Sequence, residues 1–219
     1  MNKTLLQFID EDYLNYLDDL IIIDSVQKYT WSDLGKKVDE ILKLFESKEH
    51  NFICFYCDHN FSSIAIIISC MKANKTFIPI ARDLPAARIE GILGALGSNE
   101  IFDGTTLKFN QVKIPHSTLN NKVENNTLYV LFTSGSTGVP KGVQISNANL
   151  LNTIEWSQKY FDWIENDVIG VATPLNFDIS LFDVFIGLTQ NVKLCLLPQS
   201  KNVSEVFSAI KLHNVSSIF

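Results

Sequence analysis

No apolar run in this 219-residue chain is long enough to cross a bilayer. Its most hydrophobic window, Ile64 to Met71, falls far short of the roughly 20 residues a spanning helix needs and reads as a buried helix. Clustered Lys and Arg are also missing. With 18 basic against 24 acidic residues and a formal net charge of -6, the chain has no basic block to track a phosphate backbone, so neither nucleic acid nor a membrane is expected as a partner. A secretion signal is not expected either, because Asp10, Glu11 and Asp12 interrupt the segment where a basic start and an apolar stretch would stand. The expected location is the cytoplasm.

Disulfide and metal frameworks are equally absent from the pattern. The cysteines are Cys54, Cys57, Cys70 and Cys195. The first two form a CxxC, but Asn51 to Cys57 reads as a strand, where an offset of three residues sends the thiols to opposite faces. His59 beside Asp58 lacks a second ligand pair at zinc spacing, and His50, His116 and His213 are isolated. No metal site is expected, and the chain has no internal repeat.

What is present suits a packed globular protein, with 46% hydrophobic and 19% charged residues. Short apolar runs alternate with stretches of helical period, the pattern of an α/β protein with mainly parallel strands flanked by helices. Strands are expected at Leu20 to Asp24, Phe52 to Cys57, Thr76 to Ile80, Glu100 to Phe102, Leu128 to Phe132, Val143 to Ile145, Val168 to Ala172, Val192 to Leu196 and Ser216 to Phe219. One helix should follow Thr30, with Leu34, Val38, Ile41, Leu42 and Phe45 on one face. Another should start at Ser146 or Asn147, and a third after Asn202, where Glu205 stands as a capping-box partner. Gly91, Gly94 and Gly97 suggest close packing of a helix against its neighbour. The asparagine-rich stretch from Ser117 to Thr127 reads as an exposed connection and a possible subdivision of the domain.

The densest signal is Thr133, Ser134, Gly135, Ser136, Thr137, Gly138, Val139, Pro140, Lys141, Gly142, placed directly after the apolar run Leu128 to Phe132. Glycines allow tight turns that bring backbone N–H groups to an anion, four hydroxyls can donate to phosphate oxygens, and Lys141 supplies positive charge. Pro140 breaks the G-x-x-x-x-G-K spacing, which disfavours a P-loop kinase or GTPase. Downstream, Phe177, Asp178, Ile179 and Ser180 place an acid inside an apolar run, where it could cap a helix.

Together these strings resemble the adenylate-forming superfamily, which includes acyl-CoA synthetases, D-alanine:carrier-protein ligases and the adenylation domains of nonribosomal peptide synthetases. Tyr29 to Leu34 is similar to the family's early strand-to-helix element, and Met71 to Ala73, Phe77 to Ile80, Pro85 and Arg88 to its next block. That block departs from the family at Asn74, where glycine is usual, and at Ala81 and Arg82, where Asp-Pro is usual. The resemblance covers the whole of residues 1–219 as the N-terminal portion of an AMP-binding domain.

The resemblance implies ATP with Mg²⁺ as cosubstrate, its phosphates held by Thr133, Ser134, Gly135, Ser136, Thr137, Gly138 and Lys141. It implies that Asp178 binds a substrate ammonium group, for which a partly desolvated carboxylate is a sound anchor, with Ile179 and Phe182 lining the pocket for a small or apolar side chain. The family's C-terminal domain and catalytic lysine are expected beyond Phe219, so no catalytic residue is assigned and these 219 residues alone are expected to show little adenylation. The implied function is activation of an amino acid for transfer to the phosphopantetheine thiol of a carrier protein. The alternatives are an acyl- or aryl-CoA synthetase acting on a small carboxylic acid with coenzyme A, and a non-catalytic or split adenylation fragment.

Overall fold

The computed structural model describes residues 4–114, 122–133, 140–164 and 166–219. The elements run α1 (Leu5–Asn15), β1 (Leu20–Ile23), β2 (Lys28–Thr30), α2 (Trp31–Phe45), β3 (Phe52–Tyr56), α3 (Phe61–Lys72), β4 (Thr76–Ile80), α4 (Ala86–Leu96) and β5 (Glu100–Asp103). They continue with β6 (Lys108–Gln111), β7 (Thr127–Thr133), β8 (Lys141–Ser146), α5 (Asn147–Tyr160), β9 (Val168–Val171), α6 (Asp178–Gln190), β10 (Lys193–Leu196) and α7 (Val203–Leu212).

Two sheets form. One has the order β2-β1-β10-β9 and the other β6-β5-β3-β4-β7-β8. Their interiors are parallel, and the antiparallel strands β2, β6 and β8 stand at edges. This is the mixed but mainly parallel α/β architecture expected. Continuous apolar strands follow from burial on both faces. In β3, Ile53 and Phe55 face a central core shared with α2 and α3, whereas Phe52 and Cys54 pack toward Ile89, Ile92 and Leu93 of α4. The central core also takes Ile21, Ile169 and Leu194 of the four-stranded sheet, whose far side packs Cys195 and Leu197 against Val206, Ala209 and Ile210 of α7. The layers are therefore α4, the six-stranded sheet, a central set of helices, the four-stranded sheet, and α7.

Alternation settles the CxxC. Cys54 belongs to the core beside α4 and Cys57 to the central core, both thiols are free, and burial pushes both well up. Polar bonds lock the sheets together. The Trp31 indole donates to Asn191 Oδ1 at 2.8 Å, the Phe61 backbone N–H donates to Asp24 Oδ2 at 3.0 Å, and His59 Nε2 lies 3.0 Å from the Val171 carbonyl.

Caps explain the helix starts. Thr30 and Asp33 form a reciprocal box at α2, and Ser146 and Asn149 do the same at α5. At α7, Asn202 Oδ1 accepts from the Ser204 N–H, but the Glu205 carboxylate accepts from the Asn202 side-chain amide rather than from its backbone N–H. The expected strand over Ser216 to Phe219 reduces to one bridge, Ile169 to Ser217. The Ser117 to Thr127 stretch falls between β6 and β7, both in the six-stranded sheet, and residues 115–121 lie outside the described ones.

The glycine reading holds at two positions and needs correcting at the third. A Cβ on Gly91 would lie 3.4 Å from Pro140 Cγ and one on Gly94 3.3 Å from Ile114 Cγ2, so α4 packs closely against its neighbours there. Gly97 instead ends α4 in the left-handed region at φ 66°, the conformation glycine adopts at least cost. The departures at Asn74 and Arg82 are accommodated. Asn74 holds a left-handed φ of 52°, the conformation asparagine tolerates best after glycine. Arg82 forks between Asp58 and Asp103, with closest contacts of 2.8 and 3.0 Å, and lies over the Tyr56 ring. The guanidinium in turn holds the Asp103 carboxyl below its usual range.

Gly187, inside α6, has no room for a side chain. A Cβ there would strike Leu194 and come within 2.9 Å of the Val192 carbonyl oxygen, which is backbone and cannot swing aside. Gly187→Ala should therefore cost about 1–3 kcal/mol by overpacking, outweighing the ~1 kcal/mol gained in helix propensity. Thermal unfolding should show Tm lowered by a few degrees, and an unchanged or higher Tm would refute the clash.

Candidate functional site

A cleft of about 1050 Å³ opens beside the outer end of the six-stranded sheet. Its walls come from β7 and β8, from α5, from the N-terminal end of α6, and from Arg88 and Ile92 of α4. Most of the lining is apolar or aromatic, with few polar groups, the usual composition of a small-molecule site.

Thr133, Asp178, Ile179 and Phe182 all line this cleft, so residues 45 or more positions apart in sequence meet at one place. Lys141 is not in the lining, but it pairs with Thr133, which is, as the last rung of the antiparallel β7–β8 ladder. Ser134, Gly135, Ser136, Thr137 and Gly138 lie outside the described residues. The hairpin joins strands at the sheet's edge, and its entry at Thr133 is held by Arg88, whose Nη2 donates to the Thr133 carbonyl at 2.6 Å.

Asp178 is the first residue of α6, next to the cap position Phe177. Its Oδ1 accepts the Ile179 N–H at 2.9 Å, and the helix N-terminus favours its negative charge. Ser180 fixes the preceding turn. Its buried hydroxyl donates to the Pro174 and Phe177 carbonyls at 2.9 and 2.7 Å, which sets the direction in which Asp178 leaves the turn. The expectation of a partly desolvated carboxylate is corrected here, because Asp178 is exposed on the open side of the cleft. Opposite stands Tyr129 of β7. Burial, with the Asp178 charge as a second cause, pushes its phenol up to about 12, so it remains a neutral hydroxyl at physiological pH.

Tyr129, Arg88, Trp156 and Phe219 were not singled out from sequence as site residues, although all four line the cleft. Tyr129 carried a signal, since it lies in the strand entering the glycine-rich string. The aromatic wall is continuous: Phe182 meets Phe219 with ring centroids 5.5 Å apart, and Phe219 meets Phe161 at 5.3 Å. Among the described residues no group of three or more His, Cys, Asp or Glu is placed to hold a metal ion, and no helix is long and apolar enough to cross a membrane.

The chain belongs to the AMP-binding enzyme family, which matches residues 10–219, and forms the N-terminal portion of an adenylate-forming domain. It is 24% identical over 216 residues to zwittermicin A synthase ZmaJ of Bacillus cereus, covering 90% of this chain and 41% of that protein. It is 27% identical over 202 residues to the D-alanine--D-alanyl carrier protein ligase of Lacticaseibacillus casei (strain BL23), covering 84% of this chain and 40% of the relative. The chain thus spans about two-fifths of the length of these curated relatives. In fold it is similar to O-succinylbenzoate coenzyme A synthetase (MenE) from Bacillus subtilis in complex with AMP, with a TM-score of 0.79, 18% identity, and 96% of this chain on 60% of that one. The nonribosomal peptide synthetase FmoA3 in its AMPPNP-bound form gives a TM-score of 0.80 at 17% identity, covering 97% of this chain and 25% of that one.

Proposed function

We propose that these residues form the N-terminal part of an ATP-dependent ligase that activates an amino acid as its aminoacyl-adenylate and passes it to the thiol of a phosphopantetheinyl carrier protein in the cytoplasm. In the reaction, a carboxylate oxygen attacks the α-phosphorus of ATP, a new P–O bond forms, and the bond to the β-phosphate breaks to release pyrophosphate. ATP enters as its magnesium complex, the metal balancing phosphate charge. Thr133, Ser134, Gly135, Ser136, Thr137, Gly138 and Lys141 hold the β- and γ-phosphates. Asp178 pairs with the ammonium group of the substrate, and Ile179 and Phe182 face its apolar side chain. Domain organisation follows from the same reading: residues 1–219 supply this cleft, and a mobile C-terminal domain supplies the catalytic lysine, so the chain alone turns over poorly.

The observation that carries the reading is the convergence of Thr133 and Asp178 on one cleft whose aromatic wall includes Phe182. The likeness to a D-alanine--D-alanyl carrier protein ligase supports an amino acid and a carrier protein, and the carboxylate at Asp178 can pair with an ammonium group that a simple acid lacks. ATP–pyrophosphate exchange by the native gene product, run with a panel of amino acids and of simple carboxylic acids, is the test. Exchange should depend on an amino acid with a small or apolar side chain. Exchange supported by carboxylic acids alone would instead make it an acyl- or aryl-CoA synthetase, and none with either would mark a non-catalytic or split fragment.

A further inference from the structure

We infer that helix α4 is the platform on which both ends of the β7–β8 connection rest, and that Arg88 is a positioning residue setting the mouth of the phosphate site. The inference rests on the proposal that this connection binds ATP phosphates. Arg88 and Gly91 are three residues apart on α4 and therefore share a helix face. The Arg88 guanidinium donates to the carbonyl of Thr133, the residue on which β7 ends, at 2.6 Å. One turn further along, the bare face of Gly91 receives Pro140, the residue before β8. A Cβ at Gly91 would lie 3.4 Å from Pro140 Cγ, at van der Waals contact, so the proline ring lies directly against this face. One helix face thus touches the residue before and the residue after 134–139.

The physical asymmetry of the two contacts is informative. Pro140 has a fixed φ and no N–H, so its end of the connection needs only a surface to lie against. Thr133 ends β7 at its last rung with Lys141 of the edge strand β8, and its carbonyl is held by a charge-assisted bond, the stronger kind of hydrogen bond. The platform itself does not move easily, because Ile89, Ile92 and Leu93 anchor α4 in the core against β3 and β4. Arg88 also lines the same cleft as Asp178, so the carbonyl it holds belongs to the same space as the proposed substrate anchor. An error of 1 Å in such a placement is worth up to about 100-fold in rate.

The test compares the wild-type chain with Arg88→Ala and Arg88→Lys by two readouts. The first is amide hydrogen exchange without nucleotide over 128–133 and 140–146. The second is affinity for magnesium ATP by calorimetry. In Arg88→Ala, exchange near Thr133 and Lys141 should rise about tenfold while α2 and α3 stay unchanged, and ATP affinity should fall by about the same factor. Arg88→Lys keeps a charged donor and should restore most of both. Unchanged exchange in Arg88→Ala would overturn the platform whatever ATP does. Faster exchange with unchanged ATP affinity would overturn the positioning role. A wild-type chain with no ATP affinity would overturn the phosphate-site reading beneath it, and the positioning role with it.

Discussion

Asp178→Ala should cut amino-acid-dependent exchange, as kcat/KM for the amino acid, by about 10²- to 10³-fold, while affinity for magnesium ATP stays within about twofold. Truncating one member of a hydrogen-bonded charge pair typically costs about 2–5 kcal/mol, and each 1.4 kcal/mol is a factor of ten. Exposure of Asp178 places the effect toward the low end for the free protein, since water screens a lone carboxylate there, but a bound substrate covers the cleft and raises the cost of losing the pair. Unfolding cannot account for the loss. As the first residue of α6 the carboxylate contributes only about 0.3–1 kcal/mol through the helix dipole, too little to unfold a packed domain. Asp178→Asn, which keeps the acceptor oxygen without the charge, should fall between the two. Kinetics unchanged by Asp178→Ala would remove the residue from substrate binding, and equal loss of ATP affinity would assign it to the nucleotide instead.

The chemistry-bearing strings were readable because their residues are contiguous. The glycine- and hydroxyl-rich run and the Phe177 to Ser180 element each announce themselves locally, and Ser180 turned out to serve the turn that presents Asp178. The central strands were readable for a different reason. Burial on both faces makes Leu20–Ile23, Phe52–Tyr56 and Thr76–Ile80 nearly continuous apolar runs. The antiparallel edge strands escape that logic. Lys28–Thr30 and Lys108–Gln111 are short and largely polar, and only pairing with β1 and β5 makes them strands. Helix α1 was hidden by the acidic residues in its middle, although Leu5 and Ile9, four apart, are both buried. Nor could local pattern assemble the cleft. Tyr129, Trp156 and Phe219 come from a strand, a helix and the far end of the chain, and only the stacking of sheet, α5 and α6 sets them around one space.

The other large effect concerns the acid one turn deeper in α6. Asp183 is fully buried, and neither carboxyl oxygen has a hydrogen-bond partner. Its neighbours along the helix, Leu181, Val184, Phe185 and Ile186, are buried hydrophobic residues. Burial alone pushes the carboxyl up to about 7, so in the folded protein it is a neutral acid below that pH. In the unfolded chain it ionises near 3.9. Between about pH 4 and 7 the folded state therefore binds the extra proton, and stability is lost as pH rises through that window, by at most about 4 kcal/mol, with no further change above it. Other groups act in the opposite direction. Burial lowers the His59 pKa and Arg82 lowers that of Asp103, so both make stability grow with pH. Comparison with Asp183→Asn cancels those shared contributions, because the amide cannot ionise. Denaturant unfolding at a series of pH values should show wild type losing stability relative to Asp183→Asn from pH 4 to 7, then a constant difference. Parallel curves across that range would mean that Asp183 is ionised in the folded protein, with a partner that satisfies its charge.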